Sequence, residues 1–397
     1  LSKSSIGGTA HWKCVDSLRG FAASAVVFYH LWNRFWPGVS TQSRVLAIGE
    51  HSSPAFWLTS VFGFGYLGVH LFFVLSGFCI HAPQALNRFR GKSDFSIKQF
   101  TIKRVRRLYP AYLASLFVTS LCLAVFPILL FLWRRQPFSL AEAFGVKDFL
   151  VSAAFLQQLF PESIKFNGVY WTLVYEAGFY AFYPLLLFVT RKTGVVPVAL
   201  ALLVAELTLM FHPTPIPFFV LNKYFEWYLG YMAAELFLGE ANLPSTGLLA
   251  IVSGAVFALG IFSTASANLF IFRDLIFCVA FFGFLLLVLK FSREQAQAEV
   301  FAPSPLLRIL SHPLPVLIGT FSYSLYLIHV PLIDVIWHSC DLAAKYKAIS
   351  AVSAEVIPIL LIPALFPIAY GFYWCFEKPF LRRSEVPAPI ALAARTR

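Results

Sequence analysis

Residues 17–36 read SLRGFAASAVVFYHLWNRFW, and residues 56–82 read FWLTSVFGFGYLGVHLFFVLSGFCIHA. A helix rises 1.5 Å per residue, so about 20 apolar residues cross a hydrocarbon core of about 30 Å. Both stretches meet that length. Comparable runs follow near 110–132, 171–190, 195–211, 218–238, 246–264, 269–290, 314–337 and 352–376. The expected fold is therefore an all-α integral membrane protein of about ten transmembrane helices. Phe149–Phe160 is too short to cross and is expected to lie at the interface or to re-enter. The run near 195–211 is the weakest span, because it holds Glu206 and is followed by Pro213 and Pro215.

Composition points the same way. Of the 397 residues, 59% are hydrophobic and 13% charged, whereas soluble domains carry roughly 25% charged residues. A chain this apolar needs the bilayer as its solvent. Its 44 Phe, 16 Tyr and 9 Trp suit lipid-facing surface and interfacial belts. Apolar runs recur without a Gly/Ser linker, so one membrane domain is expected over 1–397, with a core at about 14–380 and short cytoplasmic tails at 1–13 and 381–397. The opening Leu1–Trp12 lacks the apolar core of a signal peptide. The net charge of +12 sits on no soluble basic domain, so a nucleic-acid partner is not expected. The six cysteines are dispersed, with no CxxC or Cys/His spacing, so neither a disulfide framework nor a metal site is expected.

Lys and Arg set the orientation. After the second run come Arg88, Arg90, Lys92, Lys98, Lys103, Arg104, Arg106 and Arg107, against Asp94. That segment reads as a cytoplasmic loop. Counting outward puts Arg191, Lys192, the 291–312 segment and the tail with Lys378, Arg382 and Arg383 inside as well. An even number of spans leaves both termini cytoplasmic, in keeping with Lys3 and Lys13. Arg134 and Arg135 fall outside and oppose the rule without outweighing the rest.

Ionisable residues within spans are costly, about 2.5–3.5 kcal/mol for Asp, Lys or Arg at a helix centre, and so mark candidate sites. Arg19 and His30 are eleven residues apart, which places them on one helix face, within about 20° and about 16 Å along the axis. Asp16 stands at i,i+3 from Arg19, placed to pair with it. Such a face suits an elongated donor whose phosphates stay at the cytoplasmic surface while its reactive end reaches a neutral His base. An Arg anchored at the headgroups and a His bonded to a neighbouring helix fit the same spacing. Ser76 follows Phe72 and Phe73 and precedes Gly77, a pattern that more often permits close helix packing than nucleophilic attack. Glu176 sits among Trp171, Tyr175 and Tyr180 and is expected to face a polar cavity, orienting His30 or a sugar; a structural hydrogen bond fits as well. Glu226 is a similar but lesser candidate. Tyr326 and His329 share a face at i,i+3, and a helix–helix hydrogen bond is the simpler reading of His329.

Taken in order, DSLRGFAASAVVFYH at 16–30, GVHLFFVLSGF at 68–78, KRVRRLYPAY at 103–112, WTLVYEAGFYAFYP at 171–184, FSYSLYLIHVPL at 321–332 and FEKPF at 376–380 resemble the membrane acyltransferase-3 family. The resemblance implies a ten-helix enzyme of the bacterial inner membrane. It would transfer an acyl group, most often acetyl, from cytoplasmic acyl-CoA to a hydroxyl of a carbohydrate or glycoconjugate, with acyl-CoA as co-substrate and no metal. It implies His30 as catalytic residue, with Glu176 assisting, and Arg19, Lys103, Arg104 and Arg107 as contacts to the CoA phosphates. Asp16, Phe73, Ser76, Trp171, Tyr175, Tyr326 and His329 become supporting or acceptor-binding candidates. His70 departs from the pattern, since many relatives carry an acidic residue there. Two other classes fit a polar path in a membrane: a transporter or channel, and a non-catalytic sensor. Neither accounts as fully for Arg19, His30 and the basic cluster together, and the matching halves of a transporter are not visible.

Overall fold

A computed structural model describes residues 4–36, 54–91, 95–134, 144–157, 159–160, 166–212, 222–297, 304–347 and 349–381. Lys3, Lys92, Asp94, Arg135, Pro213, Pro215, Arg382 and Arg383 lie outside them. Among the described residues the regular structure is entirely helical: α1 Ser4–Phe35, α2 Pro54–Thr59, α3 Leu67–Phe89, α4 Ile97–Arg134, α5 Val146–Ala153, α6 Trp171–Thr193, α7 Val195–Phe211, α8 Tyr224–Leu238, α9 Thr246–Ala265, α10 Arg273–Gln297, α11 Pro305–Leu310, α12 Pro313–Thr320, α13 Ser322–Lys345 and α14 Ala351–Phe372. Among the described residues, seven helical stretches are long and apolar enough to cross a membrane, and α1, which holds the expected first span, is not one of them: Phe56–Phe89, Ile97–Val125, Trp171–Thr193, Thr246–Ala265, Phe270–Gln297, Ser322–Lys345 and Val356–Phe380. The protein is a multi-pass membrane protein. Large apolar side chains such as Ile251 and Leu360, each 71% exposed, point where only lipid solvates them favourably.

The remaining helices meet the expected spans less simply. Helix α7 is apolar but only 17 residues long. Helix α8 has 15 residues and carries Glu226 and Glu235. Two expected boundaries move. The basic segment before Tyr109 is not a loop, because α4 begins at Ile97 and runs through Pro110. A proline in a helix removes one backbone hydrogen bond, and the surrounding turns carry the helix past it. The run expected over 314–337 is two helices, α12 and α13, interrupted at Phe321. Phe149–Phe160 resolves into the short α5 followed by a turn in which Phe155 has φ 56.

The chain divides into two compact units. The first holds residues 1–96, 184–320 and 383–397, and the second holds 97–183 and 321–382. In the first unit, α3 and α8 cross at glycines. A Cβ at Gly77 would stand 1.9 Å from the Trp227 carbonyl oxygen, and one at Gly230 would stand 1.8 Å from that of Val74. Small residues let the backbones approach this closely, as membrane helices require in place of a hydrophobic drive. The same contact is pinned at its other end by His81, whose Nε2 is 2.6 Å from Glu235 Oε1 and whose ring stacks on Tyr231 at 3.4 Å. Arg88 bonds the same carboxylate. Helix α12 lies as tightly on α1, with Gly20 against the Pro315 carbonyl and Gly319 against that of Asp16.

The second unit is tied by buried aromatic hydroxyls. Tyr112 donates to the Ser152 carbonyl at 2.7 Å and accepts from Gln157 at 2.9 Å, fixing α5 to α4. Tyr326 donates to the Val169 carbonyl at 3.1 Å. Ser324 donates to Glu377 at 2.5 Å, joining α13 to the end of the described chain. Each such bond satisfies a polar group that neither lipid nor apolar core would accept.

Candidate active site

Helix α1 is continuous through both Arg19 and His30, so the shared face expected from their spacing is a property of one rigid element. Arg19 Nη1 lies 3.5 Å from Asp16 Oδ1, with the two side chains 17% and 38% exposed. This loose pair holds the guanidinium near one position while leaving most of its five donors free for a ligand. The α12 backbone presses on α1 at Asp16 and Gly20, so the turn that carries Arg19 is fixed from behind. His30 is half-buried at the other end of the face. Its ring meets Tyr29 edge-on at 5.3 Å, and Tyr29 in turn meets Tyr66 at 5.9 Å. Above it, the indole nitrogens of Trp32 and Trp36 both donate to Thr59 Oγ1, at 3.2 and 3.3 Å, clamping α2 onto the end of α1.

Of the other candidates in this unit, Phe73 is buried. Ser76 accepts from Trp227 Nε1 at 3.3 Å, and its neighbour Gly77 makes the α3–α8 crossing. Gly77 thus makes a close helix contact, with the Ser76 hydrogen bond beside it.

The second unit holds the remaining candidates. Lys103 is exposed, while Arg104 and Arg107 are half-buried. Arg104 stacks over Phe100 at 5.4 Å and over Tyr180 at 5.9 Å. Tyr180 donates to Glu176 Oε1. Arg104, Tyr180 and Glu176 therefore form a linked group of cation, phenol and carboxylate, with Arg107 in the same electrostatic field. Trp171 and Tyr175 meet edge-on at 5.7 Å. Tyr326 shares a hydrogen bond with Thr172 at 2.8 Å. His329 Nδ1 donates within its own helix, to the Tyr326 carbonyl at 2.8 Å, a bond other than the helix–helix one its position suggested. On the same unit, a cavity of about 200 Å³ is lined by Thr119, Phe166, Asn167, Asp334 and His338 among others.

The first unit also contains a group that linear spacing conceals. His70 Nδ1 is 3.4 Å from Glu226 Oε2, and His70 Nε2 is 3.4 Å from Asp274 Oδ1. Cys278 Sγ lies 3.3 Å from Glu226 Oε2. Lys223 reaches Glu226 at 2.7 Å and Asp274 at 3.4 Å, and Arg273 reaches Asp274 at 2.8 Å. The cysteines read as dispersed along the chain, yet Cys278 stands beside a histidine and a carboxylate. Glu226, the lesser candidate by sequence, is the hub of this network.

With this geometry in place, comparison with known proteins gives the class. The sequence profile described as "Acyltransferase domain" matches residues 12–378, and the chain belongs to this acyltransferase-3 family. Among individual relatives, Nodulation protein 10 of Rhizobium leguminosarum bv. viciae is 29% identical over 204 residues, 49% of this chain and 50% of that protein. The O-acetyltransferase OatA of Staphylococcus aureus is 23% identical over 392 residues, covering 93% of this chain and 57% of the relative. ORF330 of Acidianus two-tailed virus is 31% identical over 177 residues, 43% of this chain and 40% of its own length. The chain thus spans about half the length of the curated relatives it matches. No solved structure matches.

Proposed function

We propose that this chain is a membrane O-acyltransferase that takes an acyl group, acetyl in the first instance, from acyl-CoA and passes it to a hydroxyl of a carbohydrate or glycoconjugate. The observation that carries the proposal is the single α1 face bearing Arg19, held by Asp16, and His30 about 16 Å further along the axis. Family membership and the acetyltransferase named among the relatives support the chemistry.

In this reading the donor enters from the cytoplasm, with Arg19 on its phosphates; Lys103, Arg104 and Arg107 are the further candidate phosphate contacts. The pantetheine arm is long enough to span a helix face of this length, so the thioester reaches His30. Neutral His30 takes the proton from the acceptor hydroxyl as the oxygen attacks the thioester carbonyl. The tetrahedral adduct collapses, the C–S bond breaks, and the proton passes to the leaving CoA thiolate. Transfer through an acyl-His30 intermediate uses the same residue as nucleophile. Glu176, with its Tyr180 partner, is a candidate acceptor-binding group of the second unit. About ten helices with both termini cytoplasmic, and residence in a bacterial inner membrane, complete the proposal.

Acetyl-CoA turnover by purified protein, followed as free thiol release, tests it. Slow hydrolysis by the wild type that His30→Ala lowers by about 10²–10⁴-fold is the expected outcome for loss of a general base. Equal turnover in the mutant removes His30 from the mechanism. No acyl-CoA binding by folded wild type, together with solute flux across vesicles, would instead favour a transporter.

A further inference from the structure

We propose that His70, Glu226 and Cys278 bind a single zinc-type divalent cation that staples helices α3, α8 and α10. The three side chains are buried, at 4%, 0% and 0% exposure, and their donor atoms lie within 4.8 Å of one another. All three belong to the first unit. The site stands apart from the acyl-transfer reading and does not depend on it.

Spacing is the first argument. An imidazole hydrogen-bonded to a carboxylate closes to about 2.7–3.2 Å. His70 Nδ1 and Glu226 Oε2 stop at 3.4 Å. Ligands of a tetrahedral zinc sit about 2.0–2.3 Å from the ion, which sets neighbouring donors roughly 3.3–3.6 Å apart. The Nδ1–Oε2 distance of 3.4 Å and the Sγ–Oε2 distance of 3.3 Å fit two edges of such a tetrahedron.

The donor set and the groups behind it point to the same ion. One imidazole, one carboxylate and one thiolate are zinc ligands, and the sulfur disfavours magnesium or calcium. Lys223 occupies Oε1 of Glu226 at 2.7 Å, which leaves Oε2 turned toward His70 and Cys278. The far nitrogen of His70 lies 3.4 Å from Asp274 Oδ1, so a carboxylate stands behind the imidazole, where the outer partner of a metal-bound histidine stands.

Binding sets the ion beside the Glu226 carboxylate and forms the Zn–S bond as the Cys278 thiol proton leaves to solvent.

The test uses the chain purified in detergent through a tag other than polyhistidine. Metal content is read by mass spectrometry after incubation with Zn²⁺ and exhaustive dialysis, and Co²⁺ is used as a spectroscopic replacement. The expected result is about one equivalent of zinc per chain, and a sulfur-to-cobalt charge-transfer band in the Co²⁺ form. Cys278→Ser should remove that band, and His70→Ala should weaken binding at least tenfold, the lower end of what loss of even an outer-shell partner costs. Cys340→Ser, a buried cysteine of the other unit, should leave both readouts unchanged. If Cys278→Ser is not recovered folded, a chain with the other five cysteines changed to serine must keep the band. Less than a tenth of an equivalent of metal, or a cobalt form without the sulfur band, would overturn the proposal, as would full binding by folded Cys278→Ser.

Discussion

At the scale of single residues, α1 makes unequal demands on its two polar groups. Arg19 offers charge-assisted donors to an anion, and such hydrogen bonds contribute about 1.5–3 kcal/mol each. Arg19→Ala is therefore expected to weaken CoA binding by about 10–100-fold, measured by calorimetry, with little change in the rate at saturating donor. Arg19→Lys should recover only part of the affinity, because the ammonium lacks the planar fork. His30→Gln keeps much of the shape and a hydrogen-bonding group but loses the base, so it should bind donor as wild type does and turn over as slowly as His30→Ala. The Arg19 and His30 pair was legible in the sequence because both lie on one helix, where spacing alone fixes the face. The His70 cluster was not. His70 and Glu226 are 156 positions apart, and Cys278 stands 52 from Glu226, so no local period relates them and only the packing of three helices brings them together.

Helix pairs are governed by how closely their backbones meet. Gly77 and Gly230 admit no Cβ without displacing a facing carbonyl, and overpacking of this kind costs about 1–3 kcal/mol. Gly77→Ala should lower the thermal midpoint in detergent, whereas Gly254→Ala on α9, where nothing stands within 4 Å of the added carbon, should leave it unchanged or raise it. Equal midpoints for the two variants would contradict the close α3–α8 crossing. The glycine of the Ser76-Gly77 pair announced tight packing in the sequence, but its partner Gly230 did not, since nothing local identifies which helix it faces. The break between α12 and α13 was likewise hidden. Hydropathy runs smoothly across Phe321, while the fold assigns Pro313–Thr320 to α1 and Ser322–Lys345 to another unit.

Across the whole molecule, composition fixed the solvent and the charge pattern suggested the orientation. If both termini are cytoplasmic, the turn at Gly91 faces inward and the turn at Lys347 faces outward. In a background with the native cysteines replaced, Lys347→Cys should react in intact cells with a thiol reagent that does not cross membranes, and Gly91→Cys should react only after permeabilisation. The reverse pattern would invert the topology and move the donor side with it. Acyl transfer itself is tested most directly in native membranes, by supplying acetyl-labelled acetyl-CoA and following label into the glycan fraction. Membranes carrying the wild type should hold label that is released by mild base, as an ester is, and His30→Ala at equal protein abundance should lose it. Equal labelling in both membranes would place the chemistry away from the α1 face and overturn the role of His30.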